Sequence, residues 1–180
     1  MSPPRSAFSP RIAAAAAWIA ALSVVVLACS APDDSATVSP GALDKTGFEA
    51  VAPVLNRRCG SIDCHGSRFR NLRLYGFGGV RLAATDNPES PPTTQAEAAK
   101  DYEAVMGLEP EVMRSFIDSG RKDPTTLTLL RKARNAEDHK GGKRLVPGDA
   151  ADTCLVSWLT ATVDSSACAS AAAERNPLDR

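Results

Sequence analysis

Residues 46–66 read TGFEAVAPVLNRRCGSIDCHG. Thr46 and Glu49 have the spacing of a capping box, in which a hydroxyl and a carboxylate satisfy the free amides at a helix start. Behind them Phe48, Val51 and Leu55 recur at helical intervals, which predicts an amphipathic helix over about 47–57. That helix runs directly into Cys59, and the chain then reaches Cys64, His65 and Gly66. The chain has two histidines, so any site built on imidazole must draw on His65, His139 or both.

Downstream, residues 71–82 (NLRLYGFGGVRL) alternate around a glycine-rich turn, the pattern of a small hairpin. A proline-rich loop follows from about Ala84 to Pro92. Thr94 and Glu97 form a second capping box, with Ala98, Tyr102, Val105 and Met106 on one apolar face. Pro110 suits the first turn of a helix that buries Val112, Met113, Phe116 and Ile117 and stops near Gly120. Asp123-Pro124 opens another through Leu127, Leu130 and Ala133. The last helix begins after Pro147-Gly148-Asp149 and buries Leu155, Trp158 and Leu159. These elements predict one mainly helical domain over 45–168, with a frayed tail over 169–180.

The 180 residues carry 21 basic and 21 acidic side chains, and 43% are hydrophobic. That content supports one domain with a core, and the absence of net charge argues against a nucleic-acid binder working through a basic surface. Charge is nonetheless segregated. Six arginines against Asp63 alone lie between Arg57 and Arg81, and eight acids against Lys100 and Arg114 lie over 82–118. Most of these side chains are expected on solvated faces, although the arginines surround Cys59, Cys64 and His65, where an anionic ligand or acidic partner would feel them.

Residues 1–28 have the form of an export signal. Arg5 and Arg11 precede an apolar run of sixteen residues from Ile12 to Leu27, short for a membrane span. The run ends in Val26-Leu27-Ala28-Cys29, which resembles the bacterial lipobox, whose cysteine is acylated and becomes the mature N-terminus. Two or three acyl chains on Cys29 would hold the protein stably at a membrane. Residues 29–44, rich in Ser, Ala, Pro and Asp, read as a flexible tether. Loss of Arg5 and Arg11 with the signal leaves 19 bases against 21 acids. The expected location is the bacterial cell envelope, periplasmic or facing the outer membrane, where cysteines become bonded. Cys59, Cys64, Cys154 and Cys168 allow three pairings. A Cys154–Cys168 bridge would stabilise by roughly 3 kcal/mol in the chain-entropy model, and would leave Cys59 and Cys64 for each other or for a cofactor.

Two cysteines followed at once by histidine is the layout of covalent c-type haem attachment, usually C-x-x-C-H. Each thiol adds across a haem vinyl group, and the adjoining imidazole ligates iron from the proximal side. Here four residues separate the cysteines instead of two. Gly66 is expected to leave room for the porphyrin. The residues also allow a Cys59–Cys64 disulfide closing a small loop, with His65 on the surface. Zinc held by Cys59, Cys64, His65 and His139 is a third reading, though adjacent Cys64 and His65 rarely suit one tetrahedral site.

In these residues the chain resembles the monohaem cytochrome c domain family, and more narrowly the cytochrome c-like domains of planctomycete and myxobacterial exported proteins. The resemblance rests on Phe48 to Leu55, then Cys59, Cys64, His65 and Gly66, then His139-Lys140-Gly141-Gly142, then Leu155 to Leu159. It spans most of 45–163 and is loose in the middle. It implies an all-α fold whose first and last helices cross, with Phe48 and Trp158 near the contact. It also implies one covalent haem c and places a distal ligand at or near His139. The alternative sixth ligands, Met106 and Met113, sit among apolar residues at helical spacing, which core packing explains.

The sequence has no phosphate loop of the G-x-x-x-x-G-K type, no HExxH, and no supported Ser-His-Asp set. The expectation is a lipid-anchored carrier of single electrons between redox proteins, not an enzyme. The alternative is a haem-free, disulfide-stapled envelope lipoprotein acting as a binding or structural module.

Overall fold

Asp44 starts the first helix. Its carboxylate accepts from the Thr46 amide at 3.0 Å, so the cap stands two residues before the expected Thr46. A tertiary contact fixes that choice, because the Asp44 carbonyl also accepts from Trp158 Nε1 at 2.7 Å. In the computed structural model, residues 41–89, 92–160 and 162–174 are described. They form six α-helices: α1 (Lys45–Cys59), α2 (Gln95–Met106), α3 (Pro110–Asp118), α4 (Thr128–Ala133), α5 (Ala150–Thr160) and α6 (Ser165–Ala173). A single 3-10 turn, Pro124–Thr126, precedes α4, so the helix expected from Asp123-Pro124 arrives in two pieces.

The architecture is all-α, and α1 packs against both α5 and α6 near the chain's end. Phe48 of α1 sits 4.8 Å from Trp158 of α5 and 5.6 Å from Tyr102 of α2, centroid to centroid, with tilted and edge-on rings. Such pairs contribute about 0.5–1.5 kcal/mol beyond the area they bury. Their polar tips are satisfied by one short segment: Tyr102 Oη donates to the Leu43 carbonyl and Trp158 Nε1 to that of Asp44. Leu43 is itself buried. Residues 41–44, expected to belong to the tether, therefore pack onto the domain.

The far end is wider than expected as well. Instead of fraying from Ala169, the chain forms α6, capped by Asp164, with Ala171 fully buried. Cys154 and Cys168 are joined in a disulfide that ties α5 to α6, and Glu174 pairs with the buried guanidinium of Arg58. The export signal, Cys29 and most of the proposed tether lie outside the described residues. Among the described residues no helix is long and apolar enough to cross a membrane.

No strand forms among the described residues, so the hairpin expected over 71–82 is absent. The segment finds its hydrogen bonds elsewhere. Leu74 N donates to the His65 carbonyl and Val80 N to that of Gly66, at 2.8 and 2.7 Å. Two acids of α2 secure it from behind. Glu97 closes the Thr94 capping box and also accepts from Arg81 Nε at 2.7 Å, Arg81 Nη2 at 3.0 Å and Leu82 N at 3.1 Å. One turn on, Asp101 accepts from Tyr75 N at 2.6 Å and from Asn56 Nδ2 of α1 at 2.7 Å. Both carboxylates are fully buried.

Their electrostatics differ. Burial pushes the Glu97 carboxyl up, but Arg81, Thr94 and the Leu82 amide outweigh it and hold the group below the usual range. Among the described residues no cation forms an ion pair with Asp101. Burial, with repulsion from Glu97, pushes it up to about 7 despite the Tyr75 and Asn56 bonds. A folded-state pKa above the unfolded value means that Asp101 binds its proton more tightly when folded. Its contribution is present below about pH 4 and is lost as pH rises towards about 7. Urea midpoints across that window should show this decline, and Asp101→Asn should flatten it while lowering stability overall through the weakened Tyr75 and Asn56 bonds.

Candidate functional site

The last turn of α1 delivers Cys59 to a tight loop. His65 N donates back to the Cys59 carbonyl at 2.9 Å, and the amides of Cys64 and Gly66 both reach the Ser61 carbonyl at 2.9 Å. A methyl carbon at Gly66 would stand 1.9 Å from the Gly60 carbonyl oxygen and 2.7 Å from Gly79 Cα. The expectation that Gly66 leaves room for a porphyrin is thus corrected: the backbones of Gly60 and Gly79 fill that space.

This loop turns the His65 ring toward Leu72, whose carbonyl lies 2.8 Å from Nδ1. A carbonyl only accepts, so Nδ1 carries the proton and Nε2 keeps its lone pair. Burial lowers the His65 pKa first, and the charges of His139 and Arg70 add to it against the opposing Leu72 bond. The ring is therefore neutral at neutral pH, the form that ligates metals. His139 arrives from the loop between α4 and α5 with a matching contact. Its Nδ1 donates to the Gly142 carbonyl at 3.0 Å, again leaving Nε2 open. A methyl carbon at Gly141 would come within 2.9 Å of the ring, so Gly141 lets the imidazole lie against the backbone. The two rings stand 6.0 Å apart, centroid to centroid, with planes 18° from parallel.

Two cavities meet at this pair. One, of about 430 Å³, is walled by Cys59, Leu72, Leu108, Leu129 and Ala133 with both histidines. The other, of about 460 Å³, is walled by Cys64, Arg70, Lys132, Lys140 and Arg144, again with both histidines and with Asp63 and Asp138. Arg70 and Lys132 line both, while the leucines and Ala133 belong to the first and Lys140 and Arg144 to the second. Each falls within the size range of small-molecule sites. Cys59 and Cys64 are free thiols on opposite sides of the pair. Burial, reinforced by Cys64 and opposed by Arg144 and Arg58, pushes the Cys59 thiol up to about 12, so it is protonated and behaves as a small apolar side chain.

The structure thus brings Cys59, Cys64, His65 and His139 to one place. Among the described residues no group of three or more His, Cys, Asp or Glu side chains is arranged to hold a metal ion, which leaves the zinc reading without support. Met113 is buried in the core and Met106 packs against it; neither lines either cavity. Sequence reasoning did not single out Lys132 and Arg144. Lys132 stands on α4, and the amides of Arg144 and Leu145 both return to the Ala133 carbonyl, a chain reversal with no local signature. Comparison with family models, curated proteins and solved structures returns no match.

The glycine crossing gives a direct test. Gly66→Ala should cost about 3 kcal/mol by overpacking backbone against backbone. Amide resonances over 60–80 should move and those of α6 stay in place, as two-dimensional spectra and thermal denaturation would report.

Proposed function

We propose that the chain is an exported, lipid-anchored electron carrier with one covalent haem, which Cys59 and Cys64 would attach and to which His65 and His139 would offer their imidazoles. The observation that carries this reading is the histidine pair. The two rings lie stacked, 6.0 Å apart between centroids, beside Cys59 and Cys64, and each has Nδ1 bonded to a carbonyl while Nε2 makes no hydrogen bond among the described residues. Two imidazoles alone cannot complete an iron coordination sphere. A haem bound here would supply the other donors to the iron.

Haem would supply a one-electron couple between ferric and ferrous iron. The chain's own residues have separate tasks. The Leu72 and Gly142 carbonyls hold the two imidazole orientations. The apolar wall of Leu108, Leu129 and Ala133 excludes water, and Lys132 and Arg144 offer positive charge to the haem carboxylates. The Cys154–Cys168 disulfide removes the other thiols from competition for attachment. Support for the lipid anchor and envelope location comes from residues 5–29 of the sequence alone.

Expression with the signal intact, in a host that matures c-type cytochromes, should yield haem that stays with the chain on a denaturing gel and vanishes in Cys59→Ala/Cys64→Ala. His139→Ala should convert a low-spin spectrum to a high-spin one. The midpoint potential should fall below that of His/Met sites, since methionine ligation raises the potential; a value in the His/Met range refutes His139 as ligand. A colourless protein with Cys59 and Cys64 joined would instead be the haem-free, disulfide-stapled envelope module.

A further inference from the structure

The arginines between 57 and 81 divide into two sets. Arg58 and Arg81 turn inward to Glu174 and Glu97. Arg57, Arg68, Arg70 and Arg73 have no carboxylate within ion-pair distance among the described residues. Arg70 and Arg73 bond only to neutral groups, the Asp63 carbonyl in one case and the Arg68 carbonyl and Tyr75 hydroxyl in the other. These contacts fix the guanidinium groups without neutralising them. Between exposed Arg68 and Arg70 stands Phe69, which is 90% exposed, and Ile62 nearby is 60% exposed. Both are extremes among the large apolar side chains of the described residues.

Phe69 has a second property. It lines the apolar cavity containing His65 and His139, and also an outer groove of about 550 Å³ with Ile62, Val80, Ala83 and Pro88. Among the lining residues it is the one common to both. Arg68 also lines this groove, with Arg81 and Asp86 4.0 Å from each other, and Arg70 lies beyond Phe69 on the cavity side; an apolar centre flanked by cations without carboxylate partners has the anatomy of a protein interface.

We infer that Ile62, Phe69, Arg68 and Arg70 form the docking face for an acidic protein partner, which inserts an apolar side chain into the groove behind Phe69. The exchange of electrons across this face rests on the carrier reading, but the docking itself does not. Charge complementarity selects the partner: a cationic rim attracts an acidic surface and repels a basic one. The concavity favours a protein over a lipid surface, because a groove accepts a protruding side chain that a flat bilayer does not present. Such a complex is steered by charge and weakened by salt.

The test is an amide-shift titration of the full mature protein with a synthetic peptide of glutamates around one central tryptophan. Shifts should concentrate over 60–70 and 78–88, and affinity should fall about tenfold between low salt and about 0.3 M salt. Arg68→Glu should weaken binding about tenfold and Phe69→Ser several-fold, with the remaining spectrum unchanged. Unaltered affinity in both variants, or shifts centred elsewhere, overturns the inference. So does sedimentation with phosphatidylglycerol vesicles, or a dimer in solution, that disappears in the same two variants, since the face would then serve a membrane or a second copy. Amide shifts are read with or without haem. Loss of the haem signature with peptide binding intact therefore removes the carrier reading alone.

Discussion

Two buried carboxylates one helical turn apart, Glu97 and Asp101, are the constraint on which the site depends. Between them they anchor Arg81, the Leu82 and Tyr75 amides, and Asn56 near the end of α1. The stretch from Cys59 to Leu82 has no helix or strand of its own to satisfy its backbone. Buried amides without partners are costly, so such a stretch keeps one conformation only if side chains elsewhere take up its donors. Helix α2 does this from behind, and Leu74 and Val80 then bond forward to His65 and Gly66. The geometry of the His65 ring is thus inherited from acids that never touch it.

The histidine pair also shows how little local order is needed to fix two imidazoles when backbone carbonyls hold them. Neither His65 nor His139 lies on a helix. Each is held by a bond from Nδ1 to a carbonyl of its own loop, and in each case glycine permits the arrangement: Gly66 by allowing the crossing with Gly60 and Gly79, Gly141 by yielding its face to the ring. A carbonyl acceptor fixes the tautomer as well as the orientation. Rigidity comes from α1, whose Phe48 is locked against Trp158 and Tyr102 and whose final residue is Cys59.

Much of this was legible in the sequence, and the failures have a common cause. Helix periodicity found α1, α2, α3 and α5, because a buried apolar stripe leaves a local signature. The Thr94 capping box was correct, yet the same pattern at Thr46 was displaced by Asp44, whose carbonyl the Trp158 indole requires. Alternation over 71–82 suggested a hairpin, but strand pairing was pre-empted by acceptors on residues 65 and 66 and by Asp101. The alanine-rich run of α6 has no marked apolar face, and the disulfide and Asp164 cap hold it instead. Clustering of Cys59, Cys64, His65 and Gly66 was visible at once. The resemblance placed His139 beside them, but the arrival of Lys132 and Arg144 was not legible, because long-range packing leaves no spacing to read.

The four-residue separation between the cysteines follows the same logic. A longer loop between the two cysteines would ordinarily bring free backbone groups and loose geometry. Here Ser61 accepts from both Cys64 and Gly66, the Ile62 amide donates to the Gly78 carbonyl at 3.1 Å, and the Cys59 carbonyl receives His65 N. The loop is therefore closed by its own hydrogen bonds and by the segment that α2 holds in place. The cost falls on the side chain of Ile62, which the turn leaves exposed beside Phe69. The exposed apolar surface beside the histidine pair is thus partly a consequence of the wider spacing. The departure from C-x-x-C-H and the unpaired face next to it share one structural origin.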